Sequence, residues 1–212
     1  MTTTTANADA GDERPDARVY RVLGEQYLHR SDRDHVDAVG TWAAEWRRTA
    51  PSLPRSFESA LTRIEEGAAA DEETLRTAFT HLFRGISEGN TPAPPYESLY
   101  VDGSFYSETT TEIQQGYRWA GTDVDDSHGN EPPDHLGLEL QFLGELVAMD
   151  PQERGPDGPD VEDATRWILD EHLARWVPPY RDRLQEEDPP EYYGGILDLT
   201  VAVIEYHHEQ IA

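Results

Sequence analysis

The chain has no lysine and no cysteine. All 17 basic side chains are arginine, set against 43 aspartates and glutamates, so the formal charge is -26. A surface that acidic repels nucleic acid and anionic membrane and admits a cationic partner. Adaptation to a saline cytoplasm gives the same composition, so solvation is the default role of any single carboxylate. The lack of cysteine excludes disulfides, thiolate metal sites and cysteine nucleophiles. No apolar run approaches the roughly 20 residues needed to cross a bilayer. The first ten residues are rich in Thr and Ala and lack the basic and apolar regions of a secretory signal. The expectation is a cytoplasmic protein with a disordered acidic tail over residues 1–15 and one helical domain over 16–212.

Strand signals are scarce as well, since Gly and Pro punctuate helical patterns and no long alternating run occurs. An acidic first turn after Asp71 precedes Leu75, Ala78, Phe79, Leu82, Phe83 and Ile86 on one helical face, with an end expected near Gly89-Asn90. Val19, Tyr20, Leu23 and Tyr27 mark an earlier helix. Val36, Val39, Trp42 and Trp46 mark a second, and Phe57, Leu61 and Ile64 a third. Ile113 and Tyr117 indicate a helix stopped by Gly121. The run from Leu136 to Val147 is apolar on more than one face, which suits a central helix. Val161 to Trp176 gives another, with a break or kink expected at Pro178-Pro179, and a last helix covers about 192–211. The fold class is all-α, a single irregular helical bundle, with a long proline-bearing connection from Gly89 to Ser104.

Few residues suggest catalysis. The chain has no G-x-S-x-G elbow, no phosphate-binding P-loop and no dinucleotide fingerprint. Carboxylate pairs arise by chance at this acidity, so the expectation is no enzyme and no cofactor. Glu131, Asp134, His135 and Glu139 would converge if helical, and a metal-binding or catalytic bundle using Glu131, Asp134 and His135 is the alternative reading. Such sites need matching ligands from other helices, and the other close histidine pair, His207-His208, lacks the Glu-x-x-His pattern. Proline and acid also crowd ordinary helix starts, a purely structural explanation of the same residues.

Leu82-Phe83 leads into Pro92-Ala-Pro-Pro-Tyr96-Glu-Ser-Leu-Tyr100, where prolines restrain the backbone and tyrosines offer apolar surface with a polar tip. That combination suits peptide binding, although the same aromatics could simply pack the loop on the core. Four segments stand in order: Phe79-Thr-His-Leu-Phe83; Ala93-Pro-Pro-Tyr-Glu-Ser-Leu-Tyr100; Glu131-Pro-Pro-Asp-His135 followed by Leu138-Glu-Leu-Gln-Phe142; and His172-Leu-Ala-Arg-Trp-Val-Pro178. Over about residues 17 to 185 this set resembles the TorD/DmsD/NarJ family of molybdoenzyme maturation chaperones. It departs in having Phe at 79, where relatives often have Tyr or Trp, and in the added Pro133.

The resemblance implies a non-enzymatic, all-helical chaperone without a metal site. Its implied partner is a molybdoenzyme catalytic-subunit precursor, often bound at the twin-arginine signal peptide, and the chaperone itself would be a monomer or homodimer. Carried over position by position, Phe79, Leu82, Phe83, Pro94, Pro95, Tyr96, Glu131, Pro132, Asp134 and His135 would line a peptide groove between the 71–88 and 131–148 helices.

Overall fold

The computed structural model describes residues 16–30, 32–85, 92–122, 131–150 and 158–211. In chain order the helices are α1 (Ala17–Leu28), α2 (Arg33–Thr49), α3 (Arg55–Gly67), α4 (Glu72–Phe83), α5 (Glu97–Val101), α6 (Glu108–Ala120), α7 (Leu136–Ala148) and α8 (Val161–Trp167). A π-helical turn (Ile168–Leu173) then leads into α9 (Ala174–Gln185), and α10 (Glu191–Ile211) closes the chain. The described residues contain no strand, and one isolated antiparallel bridge joins Tyr96 and His135. The fold is all-α.

Several of the many acids start these helices. Asp16, Asp32, Asp71 and Asp160 each accept a hydrogen bond from a backbone N–H in the first turn of α1, α2, α4 and α8. Each satisfies an otherwise orphaned donor and places negative charge at the positive end of the helix. Helix α4 stops earlier than its periodicity suggests, because Gly85 takes a left-handed φ of 59° directly after Arg84. Ile86 and Gly89-Asn90 lie outside the described residues.

The expected break at Pro178-Pro179 is displaced. Both prolines sit inside α9, and the irregularity falls one turn earlier, in the π-helical turn. Interior proline costs about 3 kcal/mol. Trp176, Val177, Tyr180 and Leu184 are buried on the same helix, and that packing offsets the cost.

One cluster of buried apolar side chains runs through every helix except the short α5. Helix α10 is buried over most of its circumference and lies against α3, so closely that a Cβ on Gly195 would stand 2.8 Å from the carbonyl oxygen of Ala60. Buried polar contacts fix α1 on α10: the Tyr20 hydroxyl is 2.8 Å from His207 Nδ1, that of Tyr27 is 2.9 Å from Thr200 Oγ1, and that of Tyr192 donates to Gln26 Oε1 at 2.7 Å. These contacts select one rotation of α1, because a shifted helix would leave buried hydroxyls unpaired.

Helix α7 packs on α1 through two facing glycines. A Cβ on Gly24 would come 2.7 Å from the Gly137 carbonyl oxygen, and one on Gly137 would come 2.7 Å from the Gly24 carbonyl oxygen and 2.5 Å from Leu28 Cγ. The two approaches of 2.7 Å are to backbone, so relief requires the helices to separate. Gly24→Ala and Gly137→Ala are each expected to destabilise the fold by about 1–3 kcal/mol. Thermal denaturation followed by circular dichroism measures this, and an unchanged midpoint in both variants would contradict the close crossing.

Candidate functional site

The proline-tyrosine segment and the Glu-Pro-Pro-Asp-His segment are distant in sequence and meet at the isolated bridge. Leu136 N donates to Pro95 O at 2.9 Å, and Glu97 N donates to Asp134 O at 2.9 Å. Five residues are too few for α5 to stand alone. Asp134 supplies its cap, with Oδ2 accepting from Ser98 N at 3.0 Å. His135 performs the same office for α7, its Nδ1 accepting from Gly137 N at 3.0 Å. Pro132 and Pro133 lie in the turn before α7, where Tyr117 donates its hydroxyl to Pro133 O at 2.7 Å.

Glu131 lies at the edge of this junction. Its Oε1 accepts from Arg84 Nη1 at 2.8 Å and its Oε2 from the Tyr96 hydroxyl at 2.6 Å. Partial burial alone would push this carboxyl up, but the bonds from Tyr96 and Arg84, together with nearby positive charge, hold it below the usual range. It is a carboxylate at neutral pH. The Tyr96 hydroxyl is correspondingly pushed up, by burial first and then by Glu131.

An aromatic surface continues from Tyr96. The ring of Phe105 meets it edge-on at 5.1 Å between centroids. Val101 is 43% exposed, Phe105 48% and Tyr106 74%, and these are the exposed large hydrophobics among the described residues. The loop presenting them is built, not loose. Asp102 Oδ2 accepts from the hydroxyls of Ser107 and Thr109, which hold its carboxyl below the usual range. Gly103 and Tyr106 both take left-handed φ values, 72° and 55°. For tyrosine that conformation costs about 1 kcal/mol or more, so the surrounding contacts enforce it.

A polar cluster lies beneath the junction. His172, carried by the π-helical turn, places Nδ1 2.8 Å from Glu97 Oε2. Trp176 Nε1 donates to Glu139 Oε2 at 3.2 Å. The ring of Tyr100 stacks on Trp176 at 5.5 Å and meets Tyr180 edge-on at 5.1 Å. Burial pushes the Glu139 carboxyl well up, and the neighbouring charges of Glu97 and Asp134 add to it. Burial likewise raises Glu97, with the His172 hydrogen bond opposing.

A family model described as nitrate reductase delta subunit matches residues 41–182, well over half of the chain. The chain belongs to this family, the TorD type that its motifs resemble. Among its relatives, a chaperone protein TorD of Aliivibrio salmonicida is 24% identical, over 89% of this chain and 91% of its own. A second, from Vibrio vulnificus, is 29% identical over 86% and 84%. A perchlorate reductase assembly chaperone protein of Dechloromonas aromatica is 30% identical over 63% and 61%. The fold is similar to that of a redox enzyme maturation protein from Archaeoglobus fulgidus, with a TM-score of 0.57 and 21% identity over 91% of this chain and 96% of that one. These relatives are chaperones and assembly proteins by name, and the chain is a maturation chaperone of their family, not an enzyme. Among the described residues no helix is long and apolar enough to cross a membrane.

Of the ten residues carried over from the family, Phe79, Leu82, Phe83, Pro95, Pro132, Asp134 and His135 are buried, and Pro94, Tyr96 and Glu131 are half-buried. Phe79 and Phe83 pack on one another and on Tyr193, and Phe83 also on Tyr27. The structure therefore joins the two loop segments at one edge and buries most of the apolar candidates in the core. Glu131, Asp134 and His135 engage different partners, and no group of three or more His, Asp or Glu among the described residues is arranged to hold a metal ion. Three surface residues have no place in the family motifs: Val101, Phe105 and Tyr106. Their signal was an aromatic pair set between Gly103 and the Ser-Glu-Thr-Thr start of α6.

The buried Glu139 carries a testable cost. An unfolded glutamate titrates near about pH 4.3, whereas the folded Glu139 keeps its proton to higher pH. The stability it contributes is fully present below the unfolded value and is lost as pH rises through the folded value. Glutamine keeps an acceptor for Trp176 without an ionisation to suppress. Glu139→Gln is thus expected to raise the melting temperature by about 2–5 °C near pH 8 and to change it little near pH 4. Melting curves across that range check this; an equal shift at both ends would show that ionisation of Glu139 is not the cause.

Proposed function

We propose that this chaperone acts in the cytoplasm on the precursor of a molybdopterin-dependent oxidoreductase, binding its twin-arginine signal peptide and assisting cofactor insertion before export. The observation that carries this reading is the pairing of an exposed apolar surface, Val101, Phe105 and Tyr106, with the ionised Glu131 near it, on a chain of charge -26. A signal peptide offers the complement, arginines followed by an apolar stretch. Tyr96 joins the two parts of the face, because it touches both Phe105 and Glu131, and Pro94 O accepts the N–H of Tyr96. The names of the relatives support a client of this kind, one being an assembly chaperone for perchlorate reductase.

Affinity in this arrangement comes mainly from apolar burial. Half-exposed arginine-carboxylate pairs contribute about 0–1 kcal/mol, whereas covering a large side chain contributes about 1.5–3 kcal/mol. Salt sharpens the difference, since the screening length falls to about 3 Å at 1 M and only contact pairs persist. Pro95, Pro132, Asp134 and His135 hold the two segments in register, while Phe79, Leu82 and Phe83 pack in the core.

The double variant Phe105→Ser with Tyr106→Ser is expected to weaken binding of a synthetic twin-arginine signal peptide roughly tenfold or more while leaving the melting temperature nearly unchanged. Isothermal titration calorimetry on the full chain measures the affinity. A wild-type protein that takes up no such peptide from any molybdoenzyme precursor of its host would refute the reading.

A further inference from the structure

The side chain of Arg84 is held in an arrangement that its own backbone does not require. The backbone closes α4 without it, Arg84 N donating to Thr80 O at 3.2 Å. The guanidinium instead reaches across the junction, where Nη1 meets Glu131 Oε1 at 2.8 Å and Nη2 meets the Leu28 carbonyl at 2.6 Å. Leu28 is the last residue of α1, so that oxygen belongs to the negative end of a helix. Phe79 supplies a third wall, with the guanidinium carbon 5.4 Å from its ring centroid. A carboxylate, a carbonyl and an aromatic ring, serving two different nitrogens of one flat cation, select guanidinium over ammonium.

This socket opens on the face already described. The Arg84 side chain is 30% exposed and that of Glu131 23%, and the other oxygen of Glu131 is bonded to Tyr96. We propose that the socket is an arginine-binding subsite and that Arg84 is its tethered placeholder, displaced when a partner's arginine enters. This rests on the reading that the face receives an arginine-bearing segment. The placeholder keeps Glu131 paired with a cation when no partner is present, so this half-buried charge is not left to its Tyr96 bond alone. Exchange of one guanidinium for another leaves the ion-pair inventory unchanged, so in the wild type the arginine serves selection more than affinity.

A displaced competitor has the opposite mutational sign from a contact residue. Arg84→Ala in the full chain is expected to bind a twin-arginine peptide roughly three- to tenfold tighter than wild type at equal ionic strength, with no gain for a twin-lysine peptide. The emptied socket should also accept methylguanidinium, which raises the melting temperature of Arg84→Ala more than methylammonium does. It should raise neither that of wild type nor that of Arg84→Ala carrying Glu131→Gln. Arg84→Gln provides a second emptied socket should the alanine variant fold poorly. Equal or weaker peptide binding by the folded variants, or a melting response that does not distinguish the two small cations, overturns the proposal. If methylguanidinium fills the socket while the peptide binds neither wild type nor variant, the subsite is upheld and the precursor reading falls.

Discussion

Asp134 and two nearby backbone hydrogen bonds hold the candidate site of this molecule together. Its carbonyl receives the N–H of Glu97, its side chain receives that of Ser98, and two residues later Leu136 returns a bond to Pro95. A five-residue helix, a proline-restrained segment and the start of α7 are all positioned by this one clasp. Because Asp134 is fully buried, the bonds form where water cannot compete for them. Removing the carboxylate would leave Ser98 N–H without its partner and release both segments together.

Much of the helical scaffold was legible in the sequence. The apolar periodicity of α1, α2, α3 and α10 matches the buried residues found on them, and the run from Leu136 to Val147 is buried on several sides as its composition suggested. Local chemistry also read well at Gly121, which ends α6 in a left-handed conformation. What periodicity could not supply was the fate of residues whose partners are remote. Pro178 and Pro179 signal a break by any local rule, yet burial of Trp176 and Tyr180 carries the helix through them. Helix α5 has too few residues to show a pattern and exists because Asp134, 36 residues away, caps it.

The candidate site divides along the same line. The ordered motifs identify the two segments that meet, but residue type alone does not say which side chains face water. Asp134 and His135 look like ligands in the sequence and act as caps in the structure, whereas Phe105 and Tyr106, which no motif singles out, stand in solvent. Their exposure follows from Asp102, whose bonds to Ser107 and Thr109 turn the chain outward before α6 begins. Sequence carries that as an aspartate six residues ahead of a helix start, a common arrangement with many outcomes.

The π-helical turn at Ile168–Leu173 has a bearing on how the two halves of the fold are phased. A wide turn carries more residues than an α-helical turn of the same rise, so it acts as an insertion absorbed within one continuous rod. Upstream of it, α8 is registered on α6 and α7; downstream, α9 is registered on α10. The extra residue uncouples those two registers, which a uniform helix would have locked at a fixed angle. His172 occupies this dislocation and is the residue that reaches Glu97. The proposed binding face is thus anchored at the place where the long helix is free to choose its own rotation.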